Sequence, residues 1–144
     1  MFSKACEYGI KAIIYIATRS LQDERVKIGD IVQHIDSPEA FTAKILGMLV
    51  RQGLVQSVTG PYGGFQIDKS KVKSVRLSDI VSAIDGDSIY RGCGLGLSEC
   101  SDDEPCPVHD KFVTIRTQLK NMLETTSLFD LASGLKEGRT ILMR

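Results

Sequence analysis

Apolar positions Tyr8, Ala12 and Ile16, flanked by Ala5 and Ile13, recur at helical spacing through residues 4–18, KACEYGIKAIIYIAT. Too little of this stretch is polar for a surface helix, so the pattern predicts one buried on most sides. Asp23 and Glu24 mark a turn, after which Ile28, Ile31, Val32 and Ile35 outline a short amphipathic helix. A new start signal stands at Asp36-Ser37-Pro38-Glu39. Ser37 is suited to cap free backbone N–H groups there, and Pro38 to open the helix, because its missing N–H costs nothing in the first position. Phe41, Ile45, Met48 and Leu49 carry the helix on over 38–51, and Gly53 sits where a helix end favours positive φ. Two short helices across a tight turn make a helix-turn-helix, with 38–51 as its second helix.

The period then shifts from helix to strand. Two β-prone runs, 54–58 and 65–67, surround Thr59-Gly60-Pro61-Tyr62-Gly63-Gly64 and predict a hairpin. A hairpin directly after a helix-turn-helix is the wing of a winged helix. Leu77, Ile80, Val81 and Ile84 predict a further helix over 77–84, with Ser78 as its cap. Residues 85–106 have no periodicity, and a structureless stretch of about that length is usually functional or disordered. Val108, Phe112, Ile115, Leu119 and Met122 follow at intervals of 4, 3, 4 and 3. That period is a coiled-coil seam over 107–124, which needs a partner helix; packing on its own domain is the ordinary alternative. Residues 127–133 predict one last short helix, and 137–144 a loose tail. The expected fold is mainly α with a small β hairpin. It comprises a winged helix-turn-helix domain over 1–84, a cysteine-bearing loop over 85–106, and a dimerisation helix with C-terminal tail over 107–144.

At 144 residues the chain is about one domain long, and its 42% hydrophobic content is that of a folded protein. No apolar run approaches the roughly 20 residues a bilayer span requires. No leader pattern opens the chain, so a cytoplasmic location is expected. Its 18 basic and 18 acidic side chains cancel, which at first argues against a nucleic-acid binder. Partitioned, the charge is +3 over 1–84, −6 over 85–110 and +3 over 111–144. Within 37–76, Lys44, Arg51, Lys69, Lys71, Lys73 and Arg76 face only Glu39 and Asp68. Such a cluster suits phosphate contacts, while the first turns of a helix in the major groove read bases. The expected contacts with double-stranded DNA are Thr42, Lys44 and Arg51 on the helix and Thr59, Gly60, Tyr62 and Gly63 on the wing. Glycines there leave the hairpin tip bare enough for backbone N–H groups to approach the DNA.

The acidic segment holds three of the four cysteines, as Cys93-x6-Cys100-x5-Cys106-x2-His109. Three thiolates and an imidazole suit a tetrahedral zinc site or an iron–sulfur cluster. The close cysteine pair usual in structural zinc sites is absent, and the wide glycine-bearing spacing favours the larger cluster. Zinc is the second reading and a set of redox thiols the third. Cys6 lies in the buried first helix and reads as a small core residue. No Ser/His/Asp triad, P-loop or carboxylate dyad is present, so an enzyme is not expected. An electron-transfer accessory protein is opposed by the basic wing.

EYGIKAIIYIA, KIGDIVQHIDSPEAFTAKILGMLVRQGLV, the wing SVTGPYGGFQI, VRLSDIVSAID, the three-cysteine loop and SLFDLAS together resemble one family. It is that of the iron–sulfur-dependent winged-helix regulators of bacteria, which includes IscR and NsrR. The resemblance spans about residues 1–133. It implies a homodimer crossed through the 107–124 helices on a two-fold operator, with a [2Fe–2S] or [4Fe–4S] cluster controlling affinity. Cys93, Cys100 and Cys106 match the cluster ligands. The fourth ligand is implied to be His109, as in IscR-like members, or Glu7 of the partner's first helix, as in NsrR-like members. The Cys93–Cys100 interval is one residue longer than in IscR-like members. Pro38 and Ala40 replace recognition-helix serines, and Thr59 replaces the wing arginine. These departures bear on the operator sequence rather than on DNA binding itself.

Overall fold

The computed structural model describes all 144 residues, as eight helices and one two-stranded antiparallel sheet. Helix α1 (Lys4–Ser20) is the axis of the molecule, and Ser3 caps it by accepting the Cys6 N–H at 3.0 Å. Cys6, Ala12, Ile13, Ile16 and Ala17 have no exposed surface, as the dense apolar pattern predicts. Around it pack α2 (Ile28–Ile35), α3 (Glu39–Arg51), α5 (Leu77–Asp85) and α8 (Leu128–Lys136). Gly9 makes the α1–α5 approach possible, since a Cβ there would lie 2.2 Å from Ile84 Cδ1.

Helix α2 ends at Asp36, whose φ of +51° turns the chain into α3, and α3 ends before Gly53, at φ +75°. Capping departs from the expectation at two points. Pro38 is the residue before α3, and Ser37 accepts no backbone N–H as a cap; its hydroxyl is spent on Thr42 Oγ1 at 2.7 Å. At α5 the Asp79 carboxylate accepts the Arg76 N–H at 2.8 Å, so Arg76 precedes the helix and Ser78 lies inside it. The hairpin pairs β1 (Gln56–Val58) with β2 (Gly64–Gln66), Ser57 opposite Phe65. Val26 adds an isolated bridge to Phe65, its N–H donating to Phe65 O at 3.1 Å and its carbonyl accepting the Phe65 N–H at 2.7 Å.

Two short helices, α4 (Lys69–Ser74) and α6 (Ser88–Arg91), carry no periodic apolar signal; α4 buries only Val72. Helix α7 spans His109–Thr125. The Leu77 N–H bonds Thr126 O and the Leu128 N–H bonds Val75 O, both at 2.9 Å, sewing the start of α8 to the start of α5. Helix α8 therefore belongs to the core around α1, with Leu128 and Ala132 fully buried. The tail is not loose. Gly138, at φ +73°, turns it back, and Leu142 packs against the core. No helix is long and apolar enough to cross a membrane. Because Leu128 is fully enclosed, Leu128→Ala is expected to cost about 3 kcal/mol, read as a lower urea midpoint at unchanged m-value.

Candidate DNA surface and cysteine loop

Helix α3 shows solvent the edge bearing Ala40, Phe41, Ala43, Lys44 and Arg51. Thr42 is not on that edge. It is fully buried, and its hydroxyl donates to Pro38 O at 2.8 Å, so it braces the first turn and offers nothing to DNA. Phe41 meets Tyr8 edge-on at 5.8 Å, which joins the exposed face of α3 to α1. Two cations of the basic cluster have partners within the protein: Lys69 pairs with Asp23 at 2.9 Å and Lys71 donates to Gly53 O.

On the wing, Thr59, Gly60 and Tyr62 are exposed, Tyr62 at 88%. Gly63 is buried instead. A Cβ there would stand 2.1 Å from Val58 O, and its N–H already donates to Gly60 O at 3.0 Å. It closes the tip rather than presenting a free donor. Two further cations reach the wing from the turn before α2. Arg25 donates to Gln66 Oε1 at 2.8 Å and to Tyr62 O at 3.2 Å, and Lys27 donates to Pro61 O at 3.3 Å. Neither contact is legible in the sequence, because only charge signals these residues and a contact across 34 or more residues leaves no local pattern.

The cysteine loop is arranged as two pairs. Cys93 lies beside Cys106; the N–H groups of Leu95 and Leu97, then the Cys106 thiol, draw the Cys93 thiol below its ordinary range. Cys100 Sγ stands 3.4 Å from His109 Nδ1 and accepts from Arg116 Nη2 at 3.0 Å. His109, only 7% exposed, donates from Nε2 to Asp102 Oδ1 at 2.8 Å. Arg116 also donates to Gly92 O, tying both ends of the Gly92–Cys100 segment to α7. The Phe112 ring, on the same helix, lies against Gly94, where a Cβ would come within 2.5 Å of it. A cavity of about 560 Å³ opens beside Cys100, His109 and Arg116. No three His, Cys, Asp or Glu side chains converge closely enough to hold a single metal ion. Glu7 pairs with Lys4 at 3.1 Å. Burial, followed by the nearby Asp85 carboxylate, pushes the Cys6 thiol up to about 12, as befits an inert core residue.

The seam of α7 divides three ways. Phe112 covers the cysteine loop, and Leu119 packs partly on the core beside the fully buried Leu123. Ile115 and Met122 remain 56% and 44% exposed.

Residues 2–134 match the family model described as Rrf2, iron-dependent transcriptional regulator. The chain belongs to the Rrf2 family. A provisionally named HTH-type transcriptional regulator of Aquifex aeolicus is 32% identical over 133 residues, covering 91% of this chain and 90% of that protein. The HTH-type transcriptional regulator IscR of Klebsiella pneumoniae is 25% identical over 127 residues, 88% of this chain and 76% of IscR. Among solved structures, CymR, the global cysteine regulator of B. subtilis, superposes with a TM-score of 0.75 at 26% identity. That match covers 92% of this chain and 96% of CymR. An Rrf2 protein is a DNA-binding transcriptional regulator and not an enzyme. The exposed edge of α3, the wing and the winged-helix fold are the parts of this Rrf2 chain that suit that activity.

Whether the loop suits a cluster is a question for its donors. Three thiols on one segment, a buried imidazole and backbone N–H groups turned on one sulfur are a soft, anion-stabilising set. In chemistry the set fits an iron–sulfur cluster. The two pairs as they stand would have to close on it.

Proposed function

We propose that this Rrf2 regulator binds a two-fold DNA operator as a cytoplasmic homodimer, with affinity controlled by an iron–sulfur cluster on Cys93, Cys100 and Cys106. The fourth ligand is His109 or the Glu7 carboxylate of a second copy. The carrying observation is the attachment of the cysteine loop to α7 through Arg116, His109 and Phe112. When bound, the cluster would supply a centre sensitive to redox state, nitric oxide and cluster supply. Arg116 then holds both the Cys100 sulfur and the Gly92 carbonyl from one point on α7, so the order of the loop and the position of the helix are coupled. Ile115 and Met122, left in solvent, support α7 as the crossing helix of the dimer. The spacing of two recognition helices follows from that crossing, and with it the operator half-site separation.

Anaerobic purification tests the metal assignment. Brown protein with stoichiometric acid-labile sulfide is expected; colourless protein carrying zinc would replace this reading with a zinc-stabilised regulator. On the DNA side, Lys44 is an exposed cation on α3. Lys44→Ala is expected to weaken binding to all sequences alike and to reduce the salt slope by about one. The check is fluorescence anisotropy at several salt concentrations on operator and random duplexes.

A further inference from the structure

We propose that Arg25 and Lys27, in the turn between α1 and α2, contact backbone phosphates of the DNA and supply the wing with charge that its own residues lack. The inference rests on DNA binding by the wing and names the side chains that carry its electrostatic attraction.

The hairpin from Leu54 to Ile67 contains no charged side chain, in a protein whose ligand is a polyanion. Its cations come from another part of the chain. Val26 is bridged to Phe65 and turned into the core, 2% exposed. Successive side chains of an extended segment point to opposite faces, so Arg25 and Lys27 both stand outward, in solvent. Both lean on the hairpin: Arg25 reaches Gln66 Oε1 and the Tyr62 carbonyl, and Lys27 the Pro61 carbonyl. These acceptors are neutral, so they fix the two cations without cancelling their charge. Neither side chain pairs with a carboxylate. Arg25 spends two of its five N–H donors and Lys27 one of its three, leaving the rest for phosphate oxygens. Side chains already held in place also give up less rotamer freedom on binding.

A cleft of about 640 Å³ opens between this turn and the wing tip, with Arg25, Lys27, Pro61 and Tyr62 in its walls. Three carboxylates line it as well. Asp23 is paired with Lys69 and Glu24 with Arg19, and only Asp30 is unmatched. Two free cations against one free carboxylate leave the cleft positive. Asp30 lies in the first turn of α2, where the helix dipole offsets its charge.

The test is fluorescence anisotropy of the full-length protein on a labelled random-sequence duplex at several salt concentrations, because non-specific binding reads phosphate contacts directly. Arg25→Gln and Lys27→Gln are each expected to weaken binding roughly three- to tenfold at low salt and to reduce the salt slope by about one per bound protomer. The double variant should reduce it by about two per bound protomer. Arg25→Lys keeps the charge but not the planar fork, and should keep the salt slope. Circular dichroism checks that each variant is folded. Unchanged affinity in both Gln variants would overturn the proposal. So would weaker binding at an unchanged slope, or Arg25→Lys behaving as Arg25→Gln, since either result makes these residues braces of the wing only. Those outcomes leave DNA binding by the unaltered protein intact; its failure to bind any duplex at low salt would sink the DNA reading and this inference with it.

Discussion

Cys100→Ala is expected to leave anaerobically prepared protein without its visible chromophore and with iron and sulfide at background. The residue is the meeting point of the loop. Its sulfur takes the Arg116 N–H at 3.0 Å and lies 3.4 Å from His109, so the substitution removes both of its links to α7 together. A three-thiol set with one member removed cannot complete the coordination of a cluster from this loop alone. The fold itself should survive, because Cys100 lies outside the hydrophobic core and no core residue packs through it. Ultraviolet–visible absorbance, iron and sulfide analysis, and a thermal melt are the measurements. A normal cluster spectrum in Cys100→Ala would mean that the ligands are assigned wrongly.

Gly64→Val should abolish high-affinity DNA binding while the helical core remains folded. Gly64 has φ +137°, a conformation closed to β-branched residues, and a Cβ there would lie 2.7 Å from Val26 O. The obstacle is backbone, so no rotamer change relieves it. To accept valine the hairpin must part from Val26, losing the paired N–H···O bonds between Val26 and Phe65. Arg25 and Lys27 would then lose their hold on the tip carbonyls of Tyr62 and Pro61. Displacing a wing proposed to contact DNA through two or three residues should weaken operator binding by about a hundredfold. Anisotropy titrations alongside far-ultraviolet circular dichroism measure the two parts separately. Wild-type affinity in the variant would remove the wing from the DNA surface.

These outcomes depend on features that differ in how far the sequence discloses them. Helices α1, α2, α3, α5 and α7 and the hairpin follow from apolar periodicity and from glycine and proline at the turns, all local signals. Helix α4 escapes that reading because KSKVKS has one apolar residue, Val72, and is held by tertiary packing instead. The burial of Thr42 is legible in the sequence. The residue shares the i, i+3, i+4, i+7 face with Ile45, Leu46 and Leu49, all buried, so its spacing points inward even though its chemistry suggests a DNA contact. Ser37 and Ser78 have the right chemistry for caps. Ser37 spends its hydroxyl on Thr42, and Ser78 falls inside α5, where the Asp79 carboxylate takes the Arg76 N–H instead. In the cysteine loop, spacing gave the thiols and the imidazole. The links of Arg116 to Cys100 and Gly92 span 16 and 24 residues and carry no sequence pattern. The return of the tail, which brings Leu142 onto the core, is equally non-local.

The coupling of loop to helix makes DNA affinity the quantity to measure. Operator binding should be titrated under anaerobic conditions with the reconstituted protein, before and after the cluster is removed by nitric oxide or oxygen, at one salt concentration. An affinity change of tenfold or more between the two forms, about 1.4 kcal/mol of coupling, is the expected result. Equal affinities in both forms, with the cluster verified in one and absent in the other, would contradict cluster control.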